Sequence, residues 1–182
     1  MQNIGKISNS YLKKDKSLRL VKFEKKHISK KYLIWLRNKE INNNRQRYSK
    51  HTYPSAIKYL QNTKKTNTLF FAIEVYKQSK YSHIGNAILL LDRQNQRAHL
   101  SILIGDTTMK NKGLGFLVWK KLIDIAFKNL ACKLVVAGTM NSNKPMFKIF
   151  KKCKMKILVL PGYFFQNRKK DDLIIAYKTR KK

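Results

Sequence analysis

The stretch that decides the fold is Lys110-Asn111-Lys112-Gly113-Leu114-Gly115. It follows the β-rich run Arg97–Ile104 and opens a segment, Leu114–Leu130, in which Leu117, Val118, Leu122, Ile125 and Ala126 share one helical face. Two glycines let the backbone turn tightly and come close to a ligand. The first amides of the helix lack intrahelical partners, and the helix dipole adds to them, each such contact being worth about 0.3–1 kcal/mol when exposed. Lys110 and Lys112 add full positive charge. The loop therefore has the chemistry of an anion site, and a pyrophosphate suits it. Taken alone, a glycine-x-glycine turn before a helix is equally an ordinary left-handed turn. It is not a Walker loop, because Gly-Lys-Ser/Thr is absent. It is not a dinucleotide fingerprint either, because the third glycine is missing and the preceding strand is the fourth, not the first.

Outward from the loop, the chain reads as alternating elements. Towards the N-terminus lie strands at Thr68–Tyr76, His83–Leu91 and Arg97–Ile104, with a turn at Asp92–Gln96. Before them come a strand at Ser17–Phe23, a helix at Ile28–Arg37 and a polar loop at Asn38–His51. A second helix starts near Pro54 and runs to about Asn62. Met1–Lys16 is polar and lysine-rich, a flexible basic arm. Towards the C-terminus, Lys133–Thr139 is a buried strand, Asn143–Cys153 a helix with Pro145 in its first turn, and Ile157–Leu160 and Leu173–Tyr177 closing strands. The order β-α-α-β-β-β-α-β-α-β-β predicts an α/β (mixed α+β) sheet with helices on both faces. One domain is expected over residues 17–180.

Composition narrows the function. With 43% hydrophobic residues the chain has material for a core, so wholesale disorder is excluded. No apolar run is long enough to span a membrane, and the first residues lack the apolar stretch of a signal peptide, so a cytoplasmic protein is expected. Cys132 and Cys153 show no metal-ligand spacing and read as buried free thiols; no metal is expected. The 41 Lys+Arg against 9 Asp+Glu give a net charge of +32. Such a field attracts polyanions. The basic residues are nonetheless spread from Lys6 to Lys182 and accompany many Asn and Ile residues. Genome bias and a selected polyanion surface both account for them.

Several stretches carry a family resemblance. Trp35-Leu36-Arg37-Asn38-Lys39-Glu40-Ile41 resembles a W-L-N-D-P-E-V entry motif, and His83-Ile84-Gly85-Asn86-Ala87 resembles H-I-G-N-I. Leu100-Ser101-Ile102-Leu103-Ile104-Gly105-Asp106 resembles L-S-I-L-I-G-D, and Ala126-Phe127-Lys128-Asn129-Leu130 resembles Y-A-F-x-x-L. With the loop and the order of elements, they are similar to the GNAT superfamily of acetyl-CoA-dependent N-acetyltransferases. The narrower likeness is to the RimJ/RimL-like branch, in the form found among amino-sugar N-acetyltransferases of surface-polysaccharide synthesis. It covers about residues 17–178.

The resemblance implies a splayed strand at Leu100–Ile104, whose backbone near Leu103 and Ile104 pairs with the pantetheine arm of acetyl-CoA. It implies pyrophosphate binding by Lys110, Asn111, Lys112, Gly113, Leu114 and Gly115, and a cofactor contact from Asn143. Where many relatives have a thiolate-protonating Tyr, this chain has Phe150, which lines the cofactor site without a proton to give. Where a strand Glu is frequent as base, it has His99, and an imidazole exchanges protons near neutral pH. His99 and Glu40 are thus the catalytic candidates, Glu40 holding the attacking ammonium. Arg37, Arg45, Arg47 and His51 fall where the family lines the acceptor site, and arginines suit a phosphate. Each has a plainer reading: a half-exposed strand His, a Glu40–Arg37 ion pair, a solvated basic loop.

Tyr163, Phe164 and Phe165, beside Arg168, suit stacking on a base or sugar; a closing-strand core is the plainer expectation. The implied function is N-acetylation of an amino sugar, possibly nucleotide-linked, by direct amine attack, in a monomer or homodimer. The alternatives are N-terminal acetylation of a ribosomal protein and a non-catalytic basic nucleic-acid-binding module.

Overall fold

The computed structural model describes residues 17–38, 51–166 and 169–180. Seven strands form a single sheet. They are β1 (Leu18–Lys22), β2 (Thr68–Lys77), β3 (Lys80–Asp92), β4 (Arg97–Ile104), β5 (Leu134–Met140), β6 (Lys156–Gln166) and β7 (Lys169–Thr179). The spatial order is β1-β2-β3-β4-β5-β7-β6. Every pairing is antiparallel except β4 with β5. Helices α1 (Lys30–Arg37) and α2 (Tyr53–Lys65) cover one face; α3 (Leu114–Asp124) and α4 (Lys144–Lys152) cover the other.

Two-sided cover explains the sequence of β2. Leu69, Phe71 and Ile73 point to the α3/α4 face, and Phe70 and Ala72 to the α1/α2 face, so the stretch Leu69–Ile73 is continuously apolar rather than alternating. The larger core packs Trp119, Leu122 and Phe150 on Leu100, Val135 and Ala137. The smaller one packs Tyr32, Trp35 and Leu60 on Phe70, Ala72 and Leu103.

The feature that makes a site is the β4–β5 ladder. It holds only Arg97–Leu134, Ala98–Val135 and His99–Val136. Beyond His99, β4 stays with β3 up to Ile104, and β5 stays with β7 up to Met140. The two parallel strands diverge, and a wedge opens in the middle of the sheet. Among the described residues, one edge of Leu100–Ile104 is left without a neighbouring strand.

The expected element order is observed, with differences at the edges. The helix expected through Leu130 ends as α-helix at Asp124 and continues as a wide π turn over Ile125–Asn129, which keeps Ile125 and Ala126 buried. The closing strands are longer than expected. β6 runs on to Gln166, and Tyr163 and Phe165 are 62% and 69% exposed. The core role expected for these aromatics is therefore wrong. β6 is one of the sheet's two outer strands, and among the described residues no helix packs over Tyr163 and Phe165. Cys132 and Cys153 are buried free thiols, as expected. The arm Met1–Lys16 and the segment 39–50 lie outside the described residues.

Candidate active site

The loop before α3 is assembled from local signals. Asp106 caps a short 3-10 turn, Thr107–Met109, accepting from the Thr108 amide (3.1 Å) and hydroxyl (2.7 Å) and from Lys31 Nζ (2.8 Å). Burial works against ionisation of Asp106, but the hydrogen bonds from Lys31 and Thr108 outweigh it and hold its carboxyl down to about 2. The same ion pair fastens α1 to the start of the loop. Asn111 (φ 62°) and Gly113 (φ 73°) then reverse the chain in left-handed conformation, and Gly113 becomes the N-cap of α3. Its carbonyl accepts from Phe116 and Leu117, so the amides of Leu114 and Gly115 stay outside the helical ladder.

These residues wall a cleft of about 640 Å³ on the α3/α4 side of the wedge. Of the residues read from the sequence, Leu103, Ile104, Lys110, Asn111, Gly113, Leu114, Gly115 and Asn143 line it. Lys112 is exposed beside it and not in its wall. The opposite wall was missed: Pro145, Met146, Lys148, Ile149 and Lys152 of α4, with Ile102, Met109 and Phe116. The legible signal was Lys148 and Lys152 at i and i+4, which share a helix face. Asn143 also caps α4, accepting from the Met146 amide (3.3 Å) and donating to Thr139 Oγ1 (3.0 Å). That dual engagement fixes it at the cleft's rim.

Phe150 needs correction. It is fully buried, packed on Trp119 with ring centroids 5.5 Å apart, and it is not in the cleft wall. On α4 the cleft-facing positions are 145, 146, 148, 149 and 152, and position 150 turns into the core.

His99 is exposed at the last paired position of β4 and β5, the apex of the wedge, outside the cleft wall. Arg37 is exposed at the end of α1, its Nε donating to Leu33 O (3.3 Å), and His51 is half-buried just before α2; neither lines the cleft. Glu40, Arg45 and Arg47 lie outside the described residues. Trp35 lies so close over the end of β4 that a Cβ on Gly105 would run into its ring. α1 is thereby seated at the open end of the wedge.

Two further histidines, His27 buried and His83 half-buried, lie outside the cleft wall. His27 Nδ1 accepts from the Glu24 amide (2.8 Å) and its Nε2 faces Glu74 Oε1 at 3.4 Å. Both ring nitrogens are thus directed at fixed groups. His83 bonds the Gly85 carbonyl (2.8 Å) and abuts Trp35, and burial lowers its pKa to about 4. No cluster of metal-ligating side chains occurs among the described residues.

A sheet split between two parallel strands, with a glycine-turned helix N-terminus at the opening, defines a class of acyl-group transferases. A family model described as acetyltransferase (GNAT) domain matches residues 17–156, and the chain belongs to that family. It is an acetyl-CoA-dependent N-acyltransferase. No curated protein matches the chain significantly. Among solved structures, the fold is similar to a chimera of Vibrio cholerae spermidine N-acetyltransferase SpeG with hSSAT (TM-score 0.74, 17% identity, covering 90% of this chain and 95% of that one). It is similar to the microcin C7 self-immunity acetyltransferase MccE in complex with acetyl-CoA and AMP (TM-score 0.73, 18%, 91% and 94%). It is also similar to an N-acetyltransferase from Staphylococcus aureus (TM-score 0.72, 18%, 89% and 98%).

Proposed function

We propose that this chain transfers the acetyl group of acetyl-CoA to the primary amine of a nucleotide-linked amino sugar, with both substrates bound together. The observation that carries the cofactor half is the wedge. Its unpaired β4 edge near Leu103 and Ile104 meets a cleft whose mouth holds the free amides of α3 and the ammonium groups of Lys110, Lys148 and Lys152. Apolar walls from Ile102, Phe116, Met146 and Ile149 suit a pantetheine arm, and the cationic mouth suits its phosphates. Lys112 adds charge from outside the wall.

The acceptor half rests on where the carboxylates are. Among the described residues, Glu24, Glu74, Asp92, Asp106 and Asp124 are each paired with a Lys or Arg. Asp171 and Asp172 accept from backbone amides. No acidic pocket is left there for a polycation. This favours an anionic acceptor over a polyamine or a basic peptide, although several of the fold relatives are described as spermidine N-acetyltransferases. The relative described with acetyl-CoA and AMP supports a nucleotide beside the cofactor.

Acetyl-CoA supplies the activated acetyl thioester. The chain's own residues orient the two substrates and exclude water, which accounts for much of the rate in such a transfer. His99 at the wedge apex takes the proton from the acceptor ammonium, directly or through water. Glu40 holds that ammonium, and Arg37, Arg45, Arg47 and His51 bind the acceptor phosphates. The domain spans 17–180 with 1–16 an arm, and it works in the cytoplasm, where acetyl-CoA is supplied.

The test is a panel of UDP- and dTDP-amino sugars, spermidine and basic N-terminal peptides, assayed by thiol release. Turnover of the sugars is expected, with Arg45→Ala plus Arg47→Ala raising acceptor KM and Glu40→Gln lowering kcat/KM. Turnover of peptides or spermidine alone would replace the acceptor assignment.

A further inference from the structure

We propose that Tyr163 and Phe165 form an aromatic clip for the planar base of the acceptor. The inference rests on the nucleotide-linked reading of the acceptor and names the residues that would recognise the nucleotide. β6 leaves its register with β7 after Leu160 and resumes it at Phe164 opposite Asp171. Between them the chain bulges at Pro161–Gly162, with Gly162 in left-handed conformation (φ 62°) and its amide donating to Asp172 Oδ1 (2.9 Å). Bulges re-aim side chains next to sites. Here the bulge precedes two large aromatic side chains that stand in solvent, 62% and 69% exposed. Phe164, between them, is half-buried and braces Tyr163 edge-on, with centroids 5.1 Å apart.

Two side chains at i and i+2 on a strand share a face and stand roughly 7 Å apart. That is about twice the 3.5–4.0 Å separation of stacked carbon atoms, so one planar ring fits between them. The position is tied to the cleft. Asn141 N donates to Asp172 O (2.9 Å), Asn141 Nδ2 to Asp172 Oδ2 (3.4 Å) and Ser142 N to Asp171 Oδ2 (3.3 Å). The next residue, Asn143, lines the cleft. The hairpin is thus latched to the β5 side of the wedge. A chain of net charge +32 that presents two exposed aromatic rings on a hairpin bonded to Asn141 and Ser142 suits a ligand both anionic and planar. A nucleotide is both. The neighbouring run Leu158–Leu160 is also exposed, but it lies before the bulge along the sheet edge and forms no part of the clip.

Two measurements on the full chain test this. Binding of UMP and dTMP by calorimetry is expected for the wild type and is lost in Tyr163→Ala plus Phe165→Ala. In steady state, each single substitution should raise KM for a UDP- or dTDP-amino sugar, relative to that for the same amino sugar without its nucleotide, by about ten- to a hundredfold. Phe165→Trp should restore most of the selectivity. Equal losses for both sugars, nucleotide binding that survives the double substitution, or a changed gel-filtration volume with unchanged selectivity would each overturn the clip. The last outcome would mark the strip as a contact between copies. Nucleotide binding that depends on the two rings, with no amino-sugar turnover, would leave the clip standing and refute the acceptor assignment instead.

Discussion

Phe150→Tyr separates a family-based expectation from what this fold dictates. The family resemblance implies a thiolate-protonating Tyr at this position, so the substitution reads as restoring an acid. In this structure position 150 has no exposure and packs against Trp119 in the larger core. A hydroxyl added there must be buried. Left without a partner it costs about 1–3 kcal/mol, and the added volume in a filled site works in the same direction. Taking about 2 kcal/mol, and roughly 2–4 °C per kcal/mol for a domain of this size, the melting temperature should fall by about 4–8 °C. Acetyl-CoA affinity and kcat at a temperature where the variant is folded should not rise. Thermal melts with and without acetyl-CoA, beside thiol-release kinetics, read both quantities. An unchanged melting temperature together with a raised kcat would refute the packing argument, because it would require the new hydroxyl to face the cofactor.

Gly113→Ala should cost about 1–2 kcal/mol through its left-handed φ alone, since an added Cβ meets nothing within 4 Å. Gly115→Val should weaken acetyl-CoA binding in calorimetry, because a Cβ there comes within 3.0 Å of Ile149 in the cleft wall; unchanged binding in the double variant Gly113→Val, Gly115→Val would remove the loop from the site. Lys148→Ala with Lys152→Ala should weaken acetyl-CoA binding by about tenfold at low salt and less at high salt, given about 0.3–1 kcal/mol per exposed charge contact; an equal loss at both salts would contradict an electrostatic role. His99→Ala should lower kcat by about 10²-fold and change the pH–rate profile; an unchanged profile removes His99 from proton transfer.

Stability should also depend on acid pH. The folded pKa of His83, lowered by burial to about 4, lies below its ordinary value, so the unfolded chain binds the extra proton. The stability held in the neutral ring is full above pH about 6.5 and is lost as pH falls towards 4, by at most about 3 kcal/mol. His27, also lowered by burial, acts in the same direction. Melts from pH 7.5 to 4 should show the fall, and His83→Gln should flatten it; a flat wild-type curve would contradict buried neutral histidines.

The amino-acid sequence by itself determined the local parts of this protein. The order of elements, the helix that starts after Gly113, and the Asn143 cap with Pro145 behind it all follow from hydrophobic period, capping and glycine chemistry over a few residues. What it did not determine depends on neighbours distant in the chain. That β4 and β5 part after His99 is a matter of which strands each keeps as partners, β3 and β7. That Lys148 and Lys152 face the cleft while Phe150 turns inward depends on how α4 is rotated against Trp119. The exposure of Tyr163 and Phe165 was hidden for the same reason. An apolar run reads as core, and only the sheet order, with β6 at an edge and no helix over its far half among the described residues, leaves those rings in water.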